Sequence, residues 1–462
     1  MLTHTGNKIA ILGCGRSGVA AARLALASGA SAVVVFDTGD KQRTEVAAGG
    51  LRTAGVEVVT GPEALWEARQ RATEFNFAVI SPGIDLASPL PKAFSNADVE
   101  VIGEVEFSFR HCSSKVVAIT GTNGKTTTTE MLARIANGCG VNAVAAGNYG
   151  FAYSELALDD AAPDLVVLEV SSFQLESLST FRAAVSVWMN FAPDHLDRYD
   201  DEEEYKEAKL HIFDRQTEDD VAIVRAGEDV GEIAAKRIGF SADPGADAEY
   251  TYSEGKILHN GKAVVDFHAT GLRGTHNAEN LMAALAAGKA LGFKFKAMAK
   301  AITGYRPPSH RCELVGDVDG YEFINDSKAT NLHALESSLR SQEGKVVLIA
   351  GGKEKGLDYE PLTDLIGERV ASVVTIGEIA EKLAGVWGDV VPCEVAESLD
   401  DAVVTADEIV KRNPRGSVVL FSPGTSSFDM FSGYEERGDA FRHAVLSLPE
   451  VNQFKPTNEE AK

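Results

Sequence analysis

An apolar run that passes without a break into a glycine-rich turn and then a helix start leaves a chain few folds to adopt. Val116-Val-Ala-Ile119, followed by Thr120-Gly-Thr-Asn-Gly-Lys-Thr126, is such a passage. A strand of this kind belongs in a parallel sheet covered on both faces, and it delivers its loop to the edge where such sheets bind ligands. Successive backbone N–H groups around the turn can wrap phosphate oxygens. Lys125 adds a point charge between phosphates, and the Thr126 hydroxyl can ligate magnesium. Ile119 stands where the longer Walker pattern has its first glycine, so the motif is a shortened one. ATP is the expected ligand of Gly121, Thr122, Asn123, Gly124, Lys125, Thr126 and Thr127.

The same strand-and-helix grammar recurs on both sides. Lys8-Ile-Ala-Ile-Leu12 leads into Gly13-Cys-Gly-Arg-Ser-Gly18, a helix through Ala27, and a strand Val33–Phe36 that ends at Asp37. That is the opening of a Rossmann-like unit. Further strands are expected at Phe77–Ile80, Asp164–Val170, Val185–Trp188, Val346–Ala350, Ser372–Ile376 and Ser417–Phe421, with a strand-rich stretch from Thr217 to His268. At 462 residues the chain exceeds what one core supports. A break near Asp98 and the prolines of Tyr305-Arg-Pro-Pro308 divide it into 1–98, 99–305 and 306–462. The predicted class is therefore α/β with three domains. Only the last dozen residues read as loose.

A formal net charge of -24 argues against nucleic acid and anionic lipid as partners, so any phosphate must be held by local groups. No stretch approaches the roughly 20 apolar residues of a membrane span, which predicts no membrane insertion. Five scattered cysteines without metal spacing suit free thiols in a reducing cytoplasm.

A nucleotide loop needs a metal partner. Glu169 ends the strand Asp164-Leu-Val-Val-Leu168, and His195 lies in Asn190-Phe-Ala-Pro-Asp-His195, again just past a strand; both are expected to face magnesium. The charged stretch Asp200–Asp214 reads as a surface helix in which composition does not raise Lys209 above Lys206. Gly13, Gly15 and Gly18 with Asp37 would, standing alone, suggest NAD. Beside an ATP loop, the diphosphate of another nucleotide conjugate reconciles both signals.

Together with Ser81-Pro-Gly83, Gly147-Asn-Tyr-Gly150, Glu169-Val-Ser-Ser-Phe-Gln-Leu-Glu176, Asp194-His-Leu-Asp-Arg-Tyr199, Ala208-Lys-Leu210, His276-Asn-Ala-Glu-Asn280, Asn325-Asp-Ser-Lys-Ala-Thr-Asn331 and Ser422-Pro-Gly424, these motifs make the chain resemble the Mur ligase family over essentially its whole length. Ser171-Ser-Phe-Gln174, Asp429-Met-Phe431 and Glu435-Glu-Arg-Gly438 point to its D-glutamate-adding branch. The resemblance implies an N-terminal Rossmann-like domain for a uridine nucleotide, a central P-loop ATPase-like domain and a C-terminal Rossmann-like domain. It implies that Arg16, Ser17, Gly18, Thr38 and Asn148 meet UDP-N-acetylmuramoyl-L-alanine, and that Lys209 is carbamylated and joins Thr126, Glu169 and His195 around Mg2+. Asn280, Arg311 and Asp326 would serve ATP; Lys328, Thr330, Lys355, Ser427 and Tyr434 would receive D-glutamate. Lys125, Glu169, His195 and Lys209 are the implied catalytic set, and a monomer is implied. The family pattern departs at Tyr149, usually Ile, and at Gly424-Thr-Ser426, usually Ala-Cys-Ala. The rival readings are a related ligase with another amino acid or a folate acceptor, an NAD-dependent oxidoreductase, and a nucleotide-binding scaffold without turnover.

Overall fold

The computed structural model describes residues 3–39, 41–158, 162–194, 198–306, 309–342, 344–414, 417–449 and 451–453. The first sheet comprises β1 (Lys8–Leu12), β2 (Ala32–Asp37), β3 (Glu57–Thr60), β4 (Phe77–Ile80) and β5 (Glu100–Gly103). Its order is β3-β2-β1-β4-β5, with every pairing parallel. Parallel neighbours need crossover helices, which cover both faces and require side chains of both parities to be apolar. Ile9, Ala10, Ile11 and Leu12 are accordingly all buried.

The second sheet holds β6 (Lys115–Thr120), β7 (Ala143–Gly147), β8 (Leu165–Glu169), β9 (Val185–Trp188), β10 (Val221–Arg225), β11 (Lys236–Ser241), β12 (Tyr250–Ser253), β13 (Lys256–His259) and β14 (Lys262–Asp266). Its order is β14-β13-β12-β11-β10-β9-β6-β8-β7, parallel from β7 to β12 and antiparallel through the two final hairpins. The third sheet holds β15 (Glu313–Val318), β16 (Tyr321–Asn325), β17 (Val346–Gly351), β18 (Val370–Ile376), β19 (Cys393–Val395), β20 (Val418–Phe421) and β21 (Val451–Gln453). Its order is β19-β18-β17-β20-β16-β15-β21, with β15 antiparallel to both of its neighbours.

Two sequence expectations need correcting. The N-terminal sheet does not stop at the break expected near Asp98, because β5 adds to the edge of β4 and carries the sheet to Gly103. Four residues, Glu100-Val-Ile-Gly103, are too short a run to stand out without their pairing partner. The last dozen residues are not uniformly loose either, since β21 pairs with β15.

The chain forms two compact units, Met1–Phe267 with Glu279–Thr303, and His268–Ala278 with Gly304–Lys462. The first contains both the N-terminal and the central sheets, and Glu106 is a fastener between them. Its carboxylate accepts from the backbone N–H groups of Ser179, Thr180 and Phe181, from the Ser179 and Thr180 hydroxyls, and from Arg110. Burial alone would raise its pKa, but these donors outweigh burial and hold it at about 2. Among the described residues no helix is long and apolar enough to cross a membrane.

Candidate functional site

The central sheet places its ligand-facing groups by register. Glu169 ends β8 opposite Ile119 on β6 and Gly147 on β7, so three strands terminate together beside the loop that follows Thr120. That loop turns sharply. Gly121 has φ +143° and Gly124 φ +85°, conformations open to glycine and strained for other residues. A Cβ on Gly124 would stand 2.2 Å from Asn280 Oδ1, which places Asn280 against the loop. The helix Lys125–Gly138 starts immediately afterwards, with its N-terminus at the turn.

Both lysines of the expected catalytic set converge on one carbonyl. Lys125 Nζ donates to Gly121 O at 2.7 Å and Thr122 O at 2.9 Å, while Lys209 Nζ donates to Gly121 O at 3.2 Å. Lys209 is 1% exposed and lies 4.4 Å from the centre of the Tyr205 ring. Burial pushes its pKa well below the usual lysine value; Lys125 adds to that, and Asp194 and Glu169 oppose it. Lys206, by contrast, is partly exposed near Asp229. The structure therefore separates two lysines that composition left equal.

Glu169 is buried, and its Oε1 accepts from Asn148 Nδ2 at 2.7 Å. Its Oε2 is buried with no hydrogen-bond partner. A buried carboxylate oxygen left open beside a phosphate-type loop, with the Thr126 side chain in the adjoining helical turn, fits a hard divalent cation. His195 lies outside the described residues.

The N-terminal loop has the same dependence on glycine. A Cβ on Gly18 would stand 2.0 Å from Gly13 O, and one on Gly13 would stand 2.8 Å from Ser81 Oγ. Arg16 and Ser17 occupy the first turn of helix Arg16–Ala27, and Thr38 is exposed just past β2. Asp37, the acid at the end of β2, holds two backbone amides. Its Oδ2 accepts from Cys14 N at 2.6 Å and its Oδ1 from Gly39 N at 2.7 Å. These two bonds tie the carboxylate to the glycine loop and to the turn after β2.

In the second unit, Lys328 Nζ sits 3.7 Å from the centre of the Tyr434 ring. Ser427 is buried, Thr330 is half-buried and Lys355 is exposed on the loop after β17. Asp326 is buried; it accepts from Cys312 N at 3.2 Å, from Ser422 Oγ at 3.1 Å and from Ser338 Oγ. Burial raises its pKa to about 6 despite those donors. Arg311 lies near enough to oppose that rise, and its neighbours His310 and Cys312 both have positive φ, 66° and 48°. The structure thus groups Gly121–Thr127, Asn148, Glu169, Lys209 and Asn280 in the first unit, and Arg311, Asp326, Lys328, Thr330, Lys355, Ser427 and Tyr434 in the second.

Residues 119–288 match the Mur ligase middle domain, and residues 310–424 match the Mur ligase glutamate ligase domain. The chain is 39% identical over 472 residues to the UDP-N-acetylmuramoylalanine--D-glutamate ligase of Chlorobium limicola, covering 96% of this chain and 98% of the relative. It is 39% identical over 456 residues to the ligase of the same name from Geobacter metallireducens, again covering 96% and 98%. The chain belongs to the Mur ligase family. Solved structures agree at the level of fold: MurF from Acinetobacter baumannii has a TM-score of 0.59 at 16% identity, covering 96% of this chain and 91% of that one. UDP-N-acetylmuramate-alanine ligase from Thermotoga maritima has a TM-score of 0.57 at 18% identity, covering 96% and 99%.

This Mur ligase is an ATP-dependent ligase with parallel sheets typical of its superfamily. Sequence reasoning missed one residue that shapes its loop. Asn190 Oδ1 accepts from Asn123 N at 2.9 Å, its Nδ2 donates to Asn123 O at 3.2 Å, and its backbone O accepts from Thr122 N at 3.0 Å. The only available signal was a polar residue two positions past the buried strand β9.

Proposed function

We propose that this Mur ligase joins D-glutamate to UDP-N-acetylmuramoyl-L-alanine through an acyl phosphate, releasing ADP and phosphate. The observation that carries the chemistry is the open, buried Glu169 Oε2 beside a loop crossed by Lys125. Whole-length similarity to D-glutamate ligases supports the choice of amino acid.

In this reading the N-terminal Rossmann-like domain holds the uridine nucleotide through Arg16, Ser17, Gly18 and Thr38, with Asn148 toward the muramoyl end. The central P-loop-type domain holds ATP with Gly121 to Thr127 and Asn280, and the C-terminal domain contributes Arg311 and Asp326. Lys328, Thr330, Lys355, Ser427 and Tyr434 offer the cationic and hydroxyl donors that a dicarboxylate needs. The enzyme works as a monomer in the cytoplasm.

The substrate carboxylate attacks the γ-phosphorus, and Lys125 offsets charge spreading over the transferring oxygens. The resulting acyl phosphate is attacked at carbon by the amine of D-glutamate; the tetrahedral intermediate expels phosphate and leaves an amide. Mg2+, held by Thr126, Glu169 and His195, would supply Lewis-acid stabilisation of the phosphoryl charge. Burial lowers the Lys209 pKa and so favours the neutral amine, the form that adds to carbon dioxide: its nitrogen bonds the carbon and loses a proton, giving a carbamate anion. That converts the second lysine of the pair from a competitor of Lys125 into an anion beside the cation site.

Phosphate release measured with UDP-N-acetylmuramoyl-L-alanine and ATP, comparing D-glutamate with L-glutamate, L-lysine and diaminopimelate, tests the assignment. Strict dependence on D-glutamate is expected. Equal turnover with L-lysine would overturn the specificity and leave the ligase chemistry standing.

A further inference from the structure

Helix Tyr434–Leu446 starts against the loops that leave β16, β17 and β20, and its fourth residue, Arg437, is 1% exposed. Nε donates to Ser327 Oγ at 3.0 Å, Nη2 to Ser327 O at 2.8 Å and Nη1 to Thr425 O at 3.1 Å. All three acceptors are neutral oxygens. Burial lowers the guanidinium pKa to about 10, and Asp429 and Asp326 oppose this through their charge. A cation buried in this way carries a desolvation cost that its hydrogen bonds and the nearby acids offset only in part, and an apolar side chain in its place would leave Ser327 O and Thr425 O without this donor.

The acceptors show what the guanidinium holds. Ser327 precedes Lys328 and Thr330, and its hydroxyl also donates to Tyr434 O at 2.9 Å. Thr425 lies on the loop of Ser427, and its Oγ1 donates to Lys353 O at 2.6 Å while Lys353 N donates to Ser426 O at 2.9 Å. The loop of Lys355 is thereby tied in as well. A Cβ on Gly352 would stand 3.1 Å from Arg437 Nη1, so this third loop runs directly over the guanidinium. Every segment bearing a side chain assigned to the incoming amino acid is therefore fastened, directly or through one further bond, to a single buried cation.

We infer that Arg437 is a positioning residue for the incoming dicarboxylate amino acid, holding three loops in register beneath it. This rests on the D-glutamate reading above. The planar fork matters as much as the charge, since lysine keeps the charge and cannot reach Ser327 and Thr425 together.

The test is steady-state phosphate release by the full chain carrying Arg437→Lys or Ser327→Ala, with KM measured separately for D-glutamate, ATP and UDP-N-acetylmuramoyl-L-alanine. Ser327→Ala removes the acceptor of Nε while keeping the guanidinium and its bonds to Ser327 O and Thr425 O, so it decides the matter if Arg437→Lys does not fold. The expected result is a rise in the KM for D-glutamate of about tenfold, equivalent to one charge-assisted hydrogen bond, with the other two KM values within about twofold. A D-glutamate KM within about twofold of wild type in Ser327→Ala, or an equal rise for all three substrates, would overturn the inference. Wild-type enzyme that releases no phosphate on D-glutamate addition would instead overturn the functional reading beneath it.

Discussion

Asn190→Ala is the sharpest probe of the phosphate loop, because it removes side-chain support and leaves every phosphate-facing group in place. The substitution deletes the bonds to Asn123 N and Asn123 O and keeps the backbone bond from Thr122 N to Asn190 O. Each lost bond contributes about 0.5–1.5 kcal/mol net, so the ordered loop should lose about 1–3 kcal/mol relative to disordered alternatives. If ATP binds only the ordered loop, its apparent affinity falls in proportion to the ordered fraction, by up to about 5- to 150-fold. The loss reaches the upper figure only if the wild-type loop is barely ordered at present; a well-ordered loop buffers part of it. ATP affinity is best read by isothermal titration with a non-hydrolysable analogue, alongside the KM values of the other two substrates. An unchanged ATP affinity would show that the loop needs no support from β9, and the argument from its geometry would fail. A rise in all three constants together would point to general loosening of the central sheet.

Lys125→Ala should lower turnover by about 10²-fold or more while circular dichroism stays unchanged, as expected for a group that offsets charge in the transition state; turnover near wild type would remove the phosphoryl-transfer mechanism. Glu106→Gln should destabilise the first unit by about 2–3 kcal/mol at neutral pH, measured by urea unfolding. Because the folded pKa of Glu106 is depressed to about 2, its contribution is present above the ordinary carboxylate pKa and is lost as pH falls through the window from there to about 2. The difference between wild type and variant should therefore narrow only in that acid range, and a constant difference down to pH 2 would refute the assignment. Asp37→Ala should raise the KM for the uridine nucleotide substrate and leave NADH fluorescence unchanged on titration. Gain of an NADH signal, or an unaffected KM, would contradict the loop-holding role of that carboxylate.

What the sequence disclosed follows from where physics acts locally. β1, β4, β6 and β9 are buried on both faces, so their apolar runs announced themselves, and the glycines at 13, 18, 121 and 124 marked turns where a Cβ cannot fit. Groups whose role comes from distant partners stayed hidden. Lys209 and Lys206 share one helix and differ only in what that helix packs against, and Asn190 matters because Asn123 folds back onto it. Asp37 looked like a ligand acid because its bonds to Cys14 and Gly39 exist only once the turn has closed. The antiparallel strands β15 and β21 lie far apart in sequence, and neither has a pattern strong enough to be recognised without the other.

The pairing of β21 with β15 bears on how the protein should be handled. Without Val451–Gln453, β15 would become an edge strand with a free ladder of amide and carbonyl groups, a surface on which separate molecules can pair and precipitate. Shortening the chain before Val451 is thus a route to aggregates even though every proposed catalytic group lies upstream. Cleavable extensions that spare these three residues are the safer design for crystallisation.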